Sequence, residues 1–234
     1  MTERSSSIEI GFLVFPNVQQ LDLTGPYEVL ALWPRARVRL VAKTLDPVVS
    51  ATRLVLTPDE TYAGCPQLDV LCIPGGVGIN ALLTDAETLA FVRRQGEGAR
   101  YVTSVCTGAL VLGAAGLLRG RRATTHWASH HLLKPLGAIP VRERVVSDGK
   151  LMTGGGVTAG IDFALALVAE LAGRDIAEAI QLNLEYAPAP PFHAGSPETA
   201  PTAVAEVVRS RLAPIMKERE RLVAEAARSL GAGP

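Results

Sequence analysis

The chain has 234 residues, 48% of them hydrophobic and 20% charged. That suits one large domain, or one domain with a helical extension, built around a real core. Its 23 Lys and Arg cancel its 23 Asp and Glu, which removes the electrostatic case for nucleic acid, an anionic membrane or a polyanionic substrate and favours a small neutral ligand.

The N-terminal Met1–Ser7 carries no apolar run of the signal-peptide kind. No uninterrupted apolar stretch reaches the roughly 18 residues of a bilayer span. Cys65, Cys72 and Cys106 are odd in number and have no framework spacing, so free thiols in a reducing cytoplasm are expected.

Ile8 to Phe15 reads as a buried strand ended by Pro16-Asn17. A helix follows over Thr24 to Trp33, with Pro26 in its first turn. Arg37 to Lys43 alternates like a half-covered strand. Leu68 to Ile73, stopping at Pro74-Gly75-Gly76, reads as a central parallel strand. Asp85 to Arg94 is helical, and Tyr101 to Val105 is a second central strand. From Cys106 onward the residues are apolar almost all round, the mark of a buried helix. Val141 to Val146 and Leu151 to Thr153 form a hairpin around Asp148-Gly149, and Thr158 to Leu171 and Asp175 to Leu184 are helices.

Tyr186 to Pro201 carries five prolines and reads as a surface connection or as an ordered flap by the active site. Beyond it, Val204, Val207, Val208, Leu212, Ile215, Met216, Leu222 and Val223 form an apolar stripe at helical spacing, which Pro214 is expected to break or kink. This alternation predicts an α/β fold: a mostly parallel, flavodoxin-like sheet with helices on both faces. Residues 1–201 form its body, and residues 202–234 form a helical extension packed on the same domain or on a partner subunit.

Cys106 occupies the point where a central strand gives way to a buried helix. Reactive groups of open α/β sheets gather at such strand ends, and a side chain on so sharp a turn is held above the sheet like a serine nucleophile. The free N–H groups at the helix start should lower its pKa and steady an anion. The plain alternative is a small buried hydrophobe, which is how Cys65 and Cys72 read. Asp22, just ahead of the predicted helix, reads from position alone as a cap or turn residue. Thr158 is either a helix cap or part of a substrate site.

Three features together resemble the ThiJ/PfpI superfamily, related to the class I glutamine amidotransferases: Ser104-Val105-Cys106-Thr107-Gly108-Ala109, Gly75-Gly76 after a strand, and Ala123-Thr124-Thr125-His126-Trp127. Within it, Gln19–Pro26 (QQLDLTGP), Thr153–Phe163 (TGGGVTAGIDF) and Leu184–Phe192 (LEYAPAPPF) are similar to the isonitrile hydratases. The resemblance spans about Ile8 to Pro201. It implies addition of water to an isonitrile to give an N-substituted formamide, with neither metal nor organic cofactor. It also implies a homodimer, Cys106 as nucleophile, Asp22 as its acid–base partner, and anion-stabilising amides at Gly76 and Thr107. Leu21 and Leu23, with a thiolate nearby, should raise the Asp22 pKa. PfpI-type peptidases carry a histidine directly after the cysteine. Thr107 stands there instead, and a peptidase mechanism loses its base.

His126 reads as a hydrogen-bonded neighbour of the site. Gly155 belongs to a tight glycine turn that brings Val157 and Thr158 to a pocket. Asp162 reads as a helix-dipole or packing residue. No histidine pair has metal-ligand spacing. Other expectations for the same cysteine motif are a redox-sensing or glyoxalase/deglycase-like thiol protein, and the ligand-sensing half of AraC-type regulators. The roughly 30 residues after Pro201 leave no room for the helix-turn-helix module of the last.

Overall fold

A computed structural model describes residues 7–231. Residues 1–6, read above for a signal sequence, and residues 232–234 of the extension lie outside the described residues. In chain order the first half comprises β1 (Ile8–Leu13), α1 (Gln20–Ala31), β2 (Ala36–Ala42), β3 (Val48–Val49), β4 (Val55–Leu56), β5 (Glu60–Thr61), β6 (Val70–Ile73), α2 (Ile79–Leu82) and α3 (Ala86–Gly98). The second half comprises β7 (Tyr101–Val105), α4 (Gly108–Ala114), β8 (Arg122–Ala123), β9 (Ile139–Pro140), β10 (Val145–Asp148), β11 (Leu151–Gly154), α5 (Ala159–Ala172), α6 (Arg174–Asn183) and α7 (Thr202–Ser229). Two 3₁₀ turns, Trp127–Leu132 and Lys134–Leu136, follow β8.

The main sheet has seven strands in the order β10-β11-β7-β6-β1-β2-β5. Every pair in it is parallel except the β10–β11 hairpin, so the α/β sandwich expected from the sequence is present. The period-two alternation of a strand sends β6 to two different cores. Val70 and Cys72 join Ile10, Phe12, Phe163 and Leu167 on one face. Leu71 and Ile73 join Phe91, Leu110 and Val111 on the other, together with Leu222 and Val223 of α7. Burial on both faces is why β6 and β7 read as unbroken apolar runs.

Four local expectations are corrected. Helix α1 begins four residues earlier than predicted, so Asp22 lies in its first turn and Pro26 lies beyond that turn. The proline ring is seated against α5: a Cβ on Gly160 would come within 2.8 Å of Pro26 Cδ. Helix α7 runs unbroken through Pro214. Burial of Leu222, Val223, Ala226 and Ala227 beyond it offsets the local cost of about 3 kcal/mol. Residues 141–144 are not strand; β10 starts at Val145, while Ile139–Pro140 pairs with Arg122–Ala123. Thr158 precedes α5 but makes no side-chain cap bond.

The proline-rich stretch is irregular and largely exposed, with Phe192 77% accessible. Among the described residues no helix is long and apolar enough to cross a membrane.

Candidate active site

Cys106 stands at the carboxyl end of β7, one residue after the strand and two before α4. Its φ of 54° is left-handed, a conformation that costs a non-glycine residue on the order of 1–3 kcal/mol. Among the described residues, Asn17, Arg53 and Glu185 share this sign of φ but are exposed; Cys106 is the buried one. Two hydrogen bonds hold the turn. Cys106 N–H donates to Gly154 O at 3.0 Å, and Thr125 Oγ1 donates to Cys106 O at 2.7 Å. The strain therefore sits at the thiol, fixed from β11 and from the segment after β8.

Asp22 reaches the same point from α1. Its side chain is fully buried, and Oδ2 accepts the Gly75 N–H at 2.9 Å. Its Oδ1 is buried without a hydrogen-bond partner, and the carboxyl and the Cys106 thiol shift each other's pKa. Asp22 thus caps no helix; it is aimed across the sheet end at the cysteine. Gly75 makes this approach possible. A Cβ there would lie 2.6 Å from both Thr107 N and Thr107 Oγ1, and 2.8 Å from Asp22 Oδ2.

Burial pushes the Asp22 carboxyl from 3.8 up to about 7, against the opposing pull of the Gly75 amide and of Cys106. The expectation of a lowered thiol pKa is reversed. Burial first, and the Asp22 charge second, push Cys106 well above its ordinary value, outweighing the Thr107 amide and hydroxyl. A helix start lowers a thiol's pKa where water can also reach it, whereas here Cys106 is only 5% exposed. Both groups are thus biased towards their neutral forms.

Thr107 surrounds the sulfur with donors. Its amide and its hydroxyl both favour charge on Cys106. Gly76 N–H donates to Thr107 Oγ1 at 3.0 Å, so this amide is already engaged and acts on the site through the threonine.

Above the thiol lies a pocket of about 230 Å³. Its walls are mainly apolar: Val77, Val157, Leu212, Ile215 and Met216, with His126 at one side. Burial and the nearby Arg219 lower the His126 pKa, so its ring is neutral at pH 7. Its Nδ1 accepts Ala128 N–H at 3.4 Å. Among the described residues no three His, Cys, Asp or Glu side chains gather as a metal site.

Residues 9–170 match the family model described as the DJ-1/PfpI family. The chain belongs to the DJ-1/PfpI family. It is 62% identical over 224 residues to the isonitrile hydratase of Pseudomonas putida, covering 96% of this chain and 98% of that one. It is 32% identical over 186 residues to the HTH-type transcriptional regulator GbdR of Pseudomonas aeruginosa, covering 76% of this chain and half of the regulator. The crystal structure of a ThiJ/PfpI family protein from Pseudomonas syringae superposes with a TM-score of 0.91 at 46% identity, over 93% of this chain and 91% of that one.

Within this DJ-1/PfpI fold the predicted residues divide into two groups. Cys106, Asp22, Gly76, Thr107, His126 and Val157 converge on the thiol or its pocket. Gly155 and Thr158 instead line an adjoining cavity of about 610 Å³, which residues 195–198 of the proline-rich stretch also wall. Gly155 N–H donates to Arg144 O at 2.9 Å, and Thr158 Oγ1 accepts from Arg144 at 3.2 Å. Asp162 takes the remaining bonds of that arginine, at 2.6 and 2.8 Å.

The contribution of α7 was not anticipated: Leu212, Ile215, Met216 and Arg219 all face the thiol pocket. The signal was present. Positions 212, 215/216, 219, 222/223 and 226 fall on one helical face, and Arg219 is the charged residue on that otherwise apolar stripe.

Proposed function

We propose that the protein is an isonitrile hydratase in which Cys106 and Asp22 work as one proton-sharing unit. The observation that carries this reading is the buried carboxyl, held at about pH 7, facing a thiol beneath a small, mostly apolar pocket. The 62% identity to the Pseudomonas putida enzyme supports the same substrate class.

With the proton on Asp22 and the charge on sulfur, Cys106 Sγ attacks the terminal carbon of R–N≡C. A C–S bond forms, the carbon–nitrogen bond falls from triple to double, and Asp22 delivers its proton to the same carbon. The product is a thioimidate, Cys106–S–CH=N–R, beside an Asp22 carboxylate. Water then adds to that carbon, with Asp22 passing one of its protons on to nitrogen. In the last step the hydroxyl proton returns to Asp22 and the C–S bond breaks with its electron pair to sulfur. R–NH–CHO leaves, and both groups regain their starting state. Acid–base help of this kind contributes roughly 10² to 10⁴ in rate, and a carboxyl titrating near neutrality can serve as acid and base in turn. Thr107 N–H supplies a fixed donor at the sulfur, and its hydroxyl, which also donates to Gly76 O, favours charge there too.

The test mixes the protein with an alkyl or aryl isonitrile, following loss of the isonitrile infrared stretch and appearance of the formamide. Turnover by the parent and its loss in C106A and D22N are expected. No formamide from micromolar parent protein would overturn the assignment.

A further inference from the structure

Arg219 lies midway along α7 with only 5% of its surface exposed. None of its hydrogen bonds goes to a carboxylate. Nε donates to Asn80 Oδ1 at 2.9 Å, Nη1 to Ser129 Oγ at 3.0 Å, and Nη2 to Gly76 O at 3.1 Å. A guanidinium does not release its proton, and a buried charge with neutral partners only is costly unless an opposite charge stands near.

That opposite charge forms at the pocket Arg219 lines. The titratable and charged groups around the thiol are Asp22 from α1, His126 from the segment after β8 and Arg219 from α7. Arg219 and Cys106 line one pocket, whose walls do not include Asp22, and charge on Cys106 favours the guanidinium. The guanidinium therefore tells the two sites of the shared proton apart, and favours negative charge on sulfur over the carboxylate.

A second effect runs through Gly76. Its carbonyl accepts the Thr107 hydroxyl at 3.3 Å and Arg219 Nη2 at 3.1 Å. That hydroxyl already accepts from Gly76 N–H and has one proton to give. With Arg219 Nη2 sharing the carbonyl, its hold on the threonine proton is weakened, and the same hydroxyl favours charge on the sulfur.

We propose that Arg219 is a positioning residue: its fixed charge, locked by Asn80, Ser129 and Gly76, stabilises the reactive form of the Cys106–Asp22 pair, with the proton on oxygen and the negative charge on sulfur. The proposal rests on Cys106 as the nucleophile and is independent of the isonitrile.

The experiment reads the pH dependence of iodoacetamide alkylation at Cys106, resolved from Cys65 and Cys72 by peptide mass spectrometry, in the parent, R219Q and R219K. The midpoint is expected to rise by about one pH unit in R219Q, with R219K recovering part of the change. Lower thermal stability of R219Q with an unchanged midpoint is what a merely structural role gives, and would overturn the proposal. If R219Q does not fold, N80D places a carboxylate on the guanidinium without truncating it; an upward midpoint is again expected, and an unchanged one refutes. A shifted midpoint in a protein whose parent hydrates no isonitrile would sink the proposed function and leave Arg219's role standing.

Discussion

Replacing Asp22 by asparagine should remove turnover and yet stabilise the fold above neutral pH. In the unfolded chain this carboxyl ionises near 3.8, and in the fold near 7. Its folded-state pKa is raised, so the stability it contributes is full below about pH 4 and is lost as pH climbs towards 7. Each pH unit across that window costs about 1.4 kcal/mol, or about 4 kcal/mol in all. The depressed pKa of His126 acts oppositely, removing stability as pH falls below its ordinary value of 6.5. Asparagine keeps an acceptor for Gly75 N–H and cannot ionise, while His126 is common to both proteins. The difference in unfolding free energy, D22N minus parent, should therefore rise by about 4 kcal/mol between pH 4 and pH 8. Urea unfolding at several pH values measures it. A difference that stays flat across this range would refute the claim that burial sets the Asp22 proton.

Gly75→Ala would set a methyl 2.6 Å from Thr107 N and Oγ1; a loss of about 1–3 kcal/mol and at least a tenfold drop in turnover are expected, from urea unfolding and steady-state kinetics. Thr107→Val leaves Gly76 N–H without its acceptor, at about 1–3 kcal/mol, and should lower kcat with little change in KM, whereas Thr107→Ser should restore most of both. Ile215→Ala widens the pocket at α7; KM for a bulky aryl isonitrile should fall relative to that for a small alkyl one, in paired assays on the same preparation.

The sheet was legible because β6 and β7 are apolar on both faces, and only central parallel strands demand that of a short run. The elbow was legible because Cys106 separates such a strand from a buried helix. Two misjudged details share a physical origin, since packing overrode local propensity at both prolines. Pro26 sits inside α1 because Gly160 leaves room for its ring, and Pro214 sits inside α7 because that helix buries its later apolar face. The thiol's pKa could not be read from the motif. Sequence marks the helix start that lowers it, while the burial that raises it is a property of the assembled pocket. Arg219 was missed for a simpler reason: a charged residue in an apolar stripe reads as an interruption until its acceptors on three other segments are seen.

In the proposed function Cys106 and Asp22 act as one group rather than as a nucleophile and a helper. A low-pKa thiolate open to solvent would suit alkylation, oxidation and exchange alike. A sulfur whose charge appears only when a buried carboxyl holds the proton is more selective. It favours substrates that need sulfur and proton delivered together to one atom, as the terminal carbon of an isonitrile does. A peptide bond asks for something else, a proton carried to a departing amine, and the residue after the cysteine that would carry it is here a threonine. Thr107 instead spends its amide and hydroxyl on the sulfur and on Gly76. On this reading, the position where PfpI-type peptidases carry their histidine is one that tunes the thiol here.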